Sequence, residues 1–438
     1  MVATSHFFNM IFPSGLRYVQ DPGRKGIEVV RGSRPCYHVE RGGTPRGREG
    51  ESMTYDCLVA GGGPAGTTVA AALARAGMKV LVLERSRYPR SKPCGGGVAR
   101  KAAALFDFPW QETIQDTAYR VDFHFGPDRH IAVASREPVA YLLMREDLDW
   151  LLARRARELG AEVREGSPVT GVRVTPEAVE VEAEGTVFRG TFLACADGVG
   201  SFTAHRTGLY GRRRPGVTYA AELAATPAQT ARFAGTMLVD AGACPGGYGW
   251  IFPKRNQLSV GVGSFHRRTD VRGALARFLA GHGLEGTPVR YAAGHLLPAD
   301  GHLRRPVAGD RVLLLGDAAT LVDPLSGEGI YYAVKSAQLA AHALLTGREP
   351  GAVAALYQQM VDEEIRGELV VAGRLARLFY AFPSPLFALA ENHREIAVKL
   401  VETVYGGSDY LSVGWGKASV RRLWRRLAAS PREEEGSA

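Results

Sequence analysis

The clearest hydrophobic pattern in the chain lies between residues 55 and 84, where two short apolar runs flank an alanine-rich segment. The first run, residues 55–60, predicts a buried strand, and the alanine-rich segment predicts a helix that ends near Ala76. Gly77 follows, as is typical of the left-handed residue that ends a helix. Residues 79–83 predict a second strand, so the region has the order and length of a β-α-β unit with parallel strands.

The pattern beyond this unit predicts a mixture of helices and strands and contains no internal repeat. The predicted elements are, in order, an amphipathic helix at 145–159 that stops at Gly160, strands near 169–174, 178–183 and 187–195, a mostly strand-like region from about 214 to 300 with one helix near 270–280, a buried strand at 312–315, a helix from about Gly329, and a helical region beyond 350. This order favours a parallel α/β sheet followed by a separate α+β region.

Composition narrows this picture only slightly. The 438 residues are 45% hydrophobic and 23% charged, and no run approaches the roughly 18 apolar residues of a membrane span. The net charge is +9, but aromatic and basic residues do not interleave as they do on nucleic-acid surfaces. The five cysteines form no C-x-x-C pair, which is typical of a reducing compartment. We therefore expect a cytoplasmic monomer that binds neither nucleic acid nor a metal.

Residues 1–52 do not resemble a folded domain. They are rich in Gly, Arg and Pro, show no sustained period, and lack the apolar core of a signal peptide. We expect this segment to be disordered or a non-native extension, with Met53 as a natural start directly before the first strand.

The turn between the first strand and the first helix carries a G-x-G-x-x-G fingerprint. Gly61 permits a tight turn, Gly63 lets a pyrophosphate approach the backbone, and Gly66 lets helix and strand pack closely. Free N–H groups at the helix N-terminus hold phosphates. Glu84 ends the second strand, where a carboxylate can accept hydrogen bonds from ribose hydroxyls. The sequence thus predicts a dinucleotide site. Because it contains one such fingerprint, we do not expect a second nucleotide-binding domain.

Two later motifs resemble those of the p-hydroxybenzoate hydroxylase-like flavoproteins, and this resemblance implies that the dinucleotide is FAD. Residues 196–198 (ADG) resemble the second flavin motif, and residues 315–319 (LGDAA) with 323–329 (DPLSGEG) resemble the third. Arg145 resembles the arginine near the FAD phosphates. An aspartate in such a motif can also cap a helix. The FAD-contacting residues expected from fingerprint and resemblance are Gly61, Gly63, Pro64, Ala65, Gly66, Glu84, Arg85, Arg145, Asp197, Gly198, Gly316, Asp317, Pro324, Gly327 and Gly329.

The predicted fold class is an α/β FAD-binding Rossmann-like domain, with a parallel sheet and a β-meander, an inserted α+β substrate domain whose antiparallel sheet covers the flavin, and a helical C-terminal region. The predicted boundaries are 53–120, 140–213 and 296–345 for the FAD domain, 121–139 and 214–295 for the substrate domain, and 346–438 for the helical region.

A lone cysteine follows the β-α-β unit. Cys94 has no second cysteine nearby before Cys195, which excludes the dithiol chemistry of disulfide reductases. Residues 93–97 (PCGGG) and 247–254 (GYGWIFPK, matching Y-x-W-x-F-P) resemble the geranylgeranyl reductase family, over about residues 54–410. The resemblance implies reduction of C=C bonds in a polyprenyl group of a lipid, quinone or chlorophyll precursor, by hydride transfer from reduced FAD, with NAD(P)H or another donor supplying electrons.

Six residues are candidates for the reaction itself. Tyr248, Trp250 and Phe252 alternate along a predicted strand and so share one face, where they suit an apolar isoprenoid wall or the core of an ordinary sheet. Cys94, with Gly95 and Gly96, could supply a proton, could close the pocket on a glycine-rich loop, or could be an inert turn.

Two other classes of function stay open at this point. The Y-x-W-x-F-P match partly echoes the W-x-W-x-I-P motif of flavin halogenases, which keeps an oxygen-dependent monooxygenase or halogenase as an alternative. A non-catalytic flavin- or lipid-binding protein is the other alternative. Residues 418–428 predict a basic amphipathic helix with Trp424, which either lies on a membrane surface or packs on the protein itself.

Overall fold

The computed structural model describes residues 54–408 and 410, apart from residues 127, 212, 266–267, 304 and 348. The strands are β1 (Thr54–Ala60), β2 (Val80–Glu84), β3 (Gly97–Ala99), β4 (Ile114–Ala118), β5 (Arg120–His124), β6 (His130–Ala134), β7 (Ala140–Leu143), β8 (Glu162–Glu165), β9 (Val169–Val174), β10 (Val179–Ala183), β11 (Thr186–Cys195), β12 (Gly216–Leu223), β13 (Thr236–Asp240), β14 (Gly247–Pro253), β15 (Leu258–Ser264), β16 (Val289–Leu297), β17 (Ala308–Gly309) and β18 (Val312–Leu314). The helices are α1 (Pro64–Arg75), α2 (Arg100–Ala103), α3 (Arg145–Glu158), α4 (Phe202–Arg206), α5 (Pro227–Phe233), α6 (Val271–Gly281), α7 (Ile330–Thr346), α8 (Pro350–Val361), α9 (Gly367–Ala381), α10 (Pro383–Asn392) and α11 (Arg394–Val404).

The first sheet carries the dinucleotide fingerprint. Its strands run in the order β17-β18-β11-β1-β2-β8, and β9 and β10 extend it from β11. β1 lies parallel to β2 and to β11. Its side chains are apolar on both faces, as is typical of strands in parallel sheets covered by helices. Helices α1 and α7 pack against each other on this sheet. The carboxyl ends of β1, β2 and β18 therefore meet at one edge, where ligands bind in α/β sheets.

The second sheet has seven strands in the order β16-β12-β15-β14-β13-β5-β6. Neighbours are antiparallel except β13 and β5, which are parallel. Alternation along β14 sends Trp250 and Phe252 into one hydrophobic cluster and Ile251 into another on the opposite face. Helix α6 covers the Ile251 face, while α10 and α11 contribute to the Trp250 face. The aromatic residues of β14 thus share one face, as the sequence predicts.

A small third sheet, with the order β3-β7-β4, joins these two layers. It begins at Gly97, the last residue of the glycine run, which pairs with Leu142. The Leu143 amide donates to the Gly96 carbonyl at 2.8 Å. The end of the glycine run is therefore part of a sheet rather than of a loop.

The C-terminal part of the described chain is helical, from α8 to α11, with one π turn at Asp362–Arg366. Among the described residues, no helix is long and apolar enough to cross a membrane. The predicted helix at 418–428 and the segment 1–52 lie outside the described residues.

The coarse fold prediction is confirmed: parallel and antiparallel sheets are followed by a helical C-terminal region. The β-α-β unit, the helix at 145–159 and the helix near 270–280 occur as predicted. The strands β3, β4 and β7 were not predicted, since each is short and shows no clear alternation. The division into domains at the boundaries given above stays a prediction.

Candidate active site

The G-x-G-x-x-G turn is packed tightly at its ends and open in its middle. Gly61 has φ of 98°, and a Cβ there would lie 2.5 Å from the Ala196 carbonyl oxygen. A Cβ on Gly66 would overlap the Gly61 carbonyl oxygen. A Cβ on Gly63 would have no neighbour closer than an Arg90 nitrogen at 3.8 Å. The turn therefore leaves open backbone at Gly63 and at the N-terminus of α1, which is where a pyrophosphate binds.

Glu84 is the buried end of β2 and is fixed beside this turn. Its two carboxylate oxygens accept hydrogen bonds from the backbone N–H groups of Gly62 and Ser86, both at 2.8 Å. Arg90 lies 3.4 Å from the same carboxylate. These contacts orient Glu84 toward the first helix, in the position that the sequence predicts for ribose recognition. Arg85, next along the chain, is exposed.

A buried chain of alternating charges leads from Glu84 to Arg145. Arg90 bridges Glu84 and Asp149, reaching Asp149 at 3.0 Å. Asp149 accepts two hydrogen bonds from Arg145, both at 2.9 Å. Burial lowers the pKa of Arg145, but the charge of Asp149 and the hydrogen bonds to it oppose this effect, and the net shift is upward. Arg145 is therefore a fixed cation that lines the same cleft as Cys94.

The third motif places Asp317 opposite a histidine from the second sheet. Asp317 lies 3.4 Å from Lys92, and His295 on β16 lines the same cleft. The Nε2 atom of His295 is buried and has no hydrogen-bond partner. Burial lowers the pKa of His295 to about 4, and the charge of Lys92 adds to this effect. His295 is thus neutral near pH 7 and has a ring nitrogen available to a ligand.

The turn at 323–329 is held rigidly below the cleft. Asp323 accepts hydrogen bonds from the backbone of Leu325 at 2.7 Å and of Ser326 at 3.0 Å. The Tyr248 hydroxyl donates to the Ser326 carbonyl. A Cβ on Gly327 would lie 2.8 Å from that hydroxyl, so the close approach requires glycine. The turn leads into α7. Gly329 and Ile330, at the N-terminus of this helix, line the cleft.

Asp197 has a structural role in the second motif. Its carboxylate accepts hydrogen bonds from the Ser201 hydroxyl at 2.5 Å and from the Thr203 N–H at 3.0 Å and hydroxyl at 2.9 Å. These bonds anchor the start of α4, the capping alternative noted for such aspartates. A contact between Asp197 and the cofactor stays a prediction. Gly198 has φ of 84°, a conformation that favours glycine.

The glycine run after Cys94 lies flat on the aromatic wall of β14. A Cβ on Gly95 would lie 2.8 Å from the Phe252 ring and 3.0 Å from the Trp250 Nε1 atom. Lys254, which is buried, donates to the Gly95 carbonyl at 2.9 Å. Gly96 has φ of 65°, and a Cβ there would overlap the Leu143 carbonyl oxygen. These contacts favour a fixed turn, and a closing movement of this segment stays a prediction.

Among the cysteines that the structure describes, only Cys94 is not buried. Its sulfur accepts a hydrogen bond from the Gly96 N–H at 3.3 Å, and Arg145 is a cation that lines the same cleft. Both groups can stabilise negative charge on sulfur. The sulfur lines the cleft between Lys92 and the aromatic wall.

One cleft connects these features. Its empty volume, including the part open to solvent, is about 1100 Å³. The residues predicted from the sequence that line it are Pro64, Cys94, Gly95, Gly96, Arg145, Tyr248, Trp250, Phe252, Asp317, Gly327 and Gly329. The structure thus brings the cysteine turn, the aromatic wall and parts of the first and third motifs to one place.

A second, apolar cavity opens from this cleft. It has a similar empty volume of about 1100 Å³ and lies between the second sheet and helices α9 to α11. Tyr248, Ser326 and Tyr405 line both spaces. Its described lining includes Phe123, Ile131, Leu325, Leu375, Phe379, Leu386, Phe387, Ile396, Ala397 and Leu400, and none of the described lining residues is Asp, Glu, Lys or Arg.

Comparison with known proteins identifies the family of this chain. Residues 54–359 match the family model described as "FAD binding domain". The chain is 30% identical to menaquinone reductase of Mycolicibacterium smegmatis, over 86% of this chain and 97% of that protein. It is 32% identical to digeranylgeranylglycerophospholipid reductase 2 of Methanothermobacter thermautotrophicus, over 72% and 84%. It is 30% identical to the chloroplastic geranylgeranyl diphosphate reductase of Oryza sativa, over 79% and 77%.

The chain belongs to the geranylgeranyl reductase family of FAD-binding proteins.

Solved structures support the same fold. A geranylgeranyl bacteriochlorophyll reductase-like protein from Thermoplasma acidophilum has a TM-score of 0.69 and 23% identity, over 85% of this chain and 99% of that chain. A flavin-dependent brominase has a TM-score of 0.66 and 19% identity, over 86% and 99%. At these identities the likeness establishes the fold that reductases and halogenases share.

FAD fits the residues present in this family member. The open backbone at Gly63 suits a pyrophosphate, and Glu84 beside the same turn is the residue that the sequence predicts to bind the adenosine ribose. The unpartnered Nε2 of His295 and Nε1 of Trp250 are buried polar atoms in the cleft that a polar ring system can satisfy.

Sequence reasoning missed Arg90, Asp149, His295, Lys254 and the apolar cavity. Asp149 had a detectable signal, because it stands four residues after Arg145 on one helix. Lys254 was quoted within the aromatic motif without a role. His295 and the cavity depend on contacts between distant segments, and no local pattern marks them.

Proposed function

We propose that this protein saturates carbon–carbon double bonds of a polyprenyl group. The observation that carries the proposal is the apolar cavity that meets the cleft at Tyr248 and Tyr405. A polyprenyl chain is a run of apolar, methyl-branched units without polar groups, and burying it gains about 0.8 kcal/mol per methylene. A chain in this cavity would present its double bonds to the cleft in which FAD fits.

When bound and reduced, FAD supplies the hydride. The protein's part is to exclude water, to align the double bond and to deliver a proton to the second carbon. Trp250 and Phe252 form the apolar wall on which the alkene would lie. The N-terminus of α7 can stabilise negative charge near the 323–329 turn.

Cys94 is the proton donor in this proposal. The Tyr248 hydroxyl already donates to the Ser326 carbonyl, and burial raises its pKa well above the usual value. The Cys94 sulfur faces the cleft, with the Gly96 N–H and Arg145 placed to hold the charge left behind. The Gly96 N–H on the sulfur and the nearby Arg145 cation favour a reactive cysteine over an inert turn residue.

Three finer statements belong to the same proposal. NAD(P)H is the electron donor, binding transiently, because it transfers a hydride to flavin directly and the chain carries a single dinucleotide fingerprint. The seven-stranded sheet forms an inserted substrate domain over the flavin. The segment 418–428 holds the protein against the membrane in which polyprenyl substrates dissolve; flotation with anionic vesicles, compared with a chain lacking residues 418–438, tests this contact.

The test of the reaction is anaerobic. The FAD-loaded protein, reduced by NADPH or dithionite, is incubated separately with menaquinone, geranylgeranyl diphosphate and a digeranylgeranyl glycerophospholipid. Mass spectrometry should show at least one of them gaining the mass of two hydrogens per double bond without oxygen. The proposal fails if no polyprenyl compound is saturated and NADPH oxidation requires oxygen with a hydroxylated or halogenated product.

A further inference from the structure

The cleft and the apolar cavity are joined by a short passage with aromatic walls. Among the described residues only Tyr248, Ser326 and Tyr405 line both spaces, and we call these three residues the neck. The Ser326 side chain is small, so the two tyrosine rings supply most of the side-chain surface of the neck. A polyprenyl chain that extends from the cavity into the cleft must therefore pass these rings.

The Tyr248 side of the neck is fixed, and it continues into the aromatic wall. The Tyr248 hydroxyl donates to the Ser326 carbonyl, so two of the three neck residues are tied to each other. The Tyr248 ring lies beside the Trp250 ring, with 6.2 Å between the two ring centroids. An alkene that has just passed the neck therefore reaches the Trp250 wall, in the cleft where FAD fits.

The Tyr405 side of the neck is fixed by packing. Tyr405 directly follows α11, and its N–H donates to the Val401 carbonyl at 2.8 Å. Its side chain packs against three hydrophobic clusters: one around the aromatic wall, one between β3, α3 and the start of α7, and one between α9 and the end of α11. Because these clusters come from different parts of the fold, the Tyr405 ring is held on several sides, and the neck has a defined width.

A polyprenyl chain alternates in width along its length. In each isoprene unit a planar alkene carries a methyl branch, and two methylene groups link one alkene to the next. A passage with rigid, close-packed walls accommodates the narrow methylene pair and resists the methyl-branched alkene, because additional methyl groups strain such walls. A chain in the neck therefore has favoured positions that differ by one isoprene unit.

From this geometry we infer that Tyr405 determines which double bond of the polyprenyl chain is reduced. The inference rests on the proposed polyprenyl reduction. When a methylene pair lies in the neck, the alkene on one side is held in the cleft and the alkene on the other side is held in the apolar cavity. Only the alkene in the cleft can meet reduced FAD. Tyr405 forms and breaks no bond in this scheme; it is a specificity-determining residue.

The test replaces the Tyr405 ring and measures the position of reduction. The FAD-loaded protein is reduced with dithionite in the absence of oxygen and incubated with geranylgeranyl diphosphate, and ozonolysis followed by mass spectrometry locates the first saturated double bond. The wild type should favour one position. Tyr405→Leu widens the neck, so the ratio of that position to its neighbours should fall by about tenfold, as expected for a pocket that discriminates by a methyl-sized difference.

Three comparisons isolate the neck. Tyr405→Phe keeps the ring and should keep the wild-type ratio. Phe379→Leu removes a ring that lines the apolar cavity but is not among the described residues of the cleft lining, and it should also keep the ratio. With the wild-type protein, an analogue of the same length that lacks methyl branches should lose the position preference. This last comparison tests the neck without any variant, should Tyr405→Leu fail to fold; flavin content and Tm report the folding of each variant.

The outcomes separate this inference from the proposed function. If the wild type saturates no polyprenyl compound, the proposed function fails, and this inference fails with it. If the wild type saturates them but folded, flavin-loaded Tyr405→Leu keeps the wild-type ratio, the inference is wrong and the reaction stands. The same conclusion follows if Phe379→Leu lowers the ratio as much as Tyr405→Leu, or if the unbranched analogue is reduced at the wild-type position.

Discussion

Two glycine-rich turns lie on opposite sides of the active site, and they use glycine for different reasons. In the cofactor turn, residues 61–66, a Cβ on the middle glycine, Gly63, would face open space, with its nearest neighbour 3.8 Å away. In the cysteine turn, residues 94–97, the missing side chains are replaced by protein atoms: the Phe252 ring, the Trp250 indole and the Leu143 carbonyl. The first turn reserves room for a ligand, and the second lets backbone pack directly on a wall.

The comparison shows that a run of glycines does not by itself indicate flexibility. The cysteine turn is closed by the Lys254 hydrogen bond and by its entry into β3. Its glycines permit positive φ and close contact with the wall, which favours a fixed turn at Cys94. A binding turn and a positioning turn can therefore have the same composition, and substitutions distinguish them.

The largest effect is expected in the cofactor turn. Gly66→Ala places a methyl group into the Gly61 carbonyl, so β1 and α1 must separate, and we expect loss of bound flavin together with a lower Tm. Gly63→Ala meets no protein atom closer than 3.8 Å, so it should keep the Tm of the FAD-free protein but weaken FAD binding by about tenfold or more. Flavin absorbance and thermal unfolding measure both. Equal effects of the two variants on Tm would contradict this distinction.

Substitutions in the cysteine turn should affect activity rather than flavin binding, because protein atoms, and not a ligand, fill the space beside its glycines. Gly96→Ala combines a clash at the Leu143 carbonyl with a φ of 65°, which costs more than about 1 kcal/mol of stability, and it should move the sulfur. We expect kcat to fall by about tenfold to a hundredfold while flavin stays bound. Gly97→Ala, whose nearest neighbour is the flexible Met237 side chain at 3.3 Å, is the matched control and should retain most activity. A hinged lid would instead tolerate alanine at Gly96 and lose activity gradually.

The two turns also differ in how far sequence could explain them. The cofactor turn is local: strand, glycines and helix lie within the 22 residues 54–75, and each has a known function in the motif. The cysteine turn depends on Phe252 in β14 and on Lys254 directly after that strand, more than 150 residues later. Periodicity predicted that the β14 aromatics share a face, but it could not show what they face.

Other features could not be predicted from the sequence for the same reason: they depend on contacts between distant segments. The segments that form β5 and β6 join the second sheet beside β13, over 100 residues away, through a parallel pairing that has no local signal. The helical pattern beyond 350 predicted α9 to α11, but the cavity between them and the sheet depends on how they pack. Glu222 and His295 are single polar residues on strands, and their burial next to charged neighbours became visible only in the fold.

The substrate side can be perturbed without touching either turn. Ala397 on α11 is buried and lines the apolar cavity, whereas its neighbour Val398 is 47% exposed. Ala397→Phe should fill part of the cavity and lower kcat/KM for a long polyprenyl chain by about tenfold, with a smaller effect on a geranyl chain. Overpacking costs about 1–3 kcal/mol, so Tm is measured alongside. Val398→Phe should resemble the wild type, and equal effects of both variants would place the polyprenyl chain elsewhere.

The smallest effect is expected at Tyr248, which lines both the cleft and the apolar cavity. Tyr248→Phe keeps the aromatic wall and removes the hydroxyl that donates to the Ser326 carbonyl in the turn at 323–329. The loss of one buried hydrogen bond costs about 1 kcal/mol, so Tm should decrease by a few degrees while flavin remains bound. Because that hydroxyl is already a donor to the backbone, kcat should fall only severalfold, and its pH dependence should not change. Loss of all saturation activity in folded, flavin-loaded Tyr248→Phe would make Tyr248 the acid in place of Cys94.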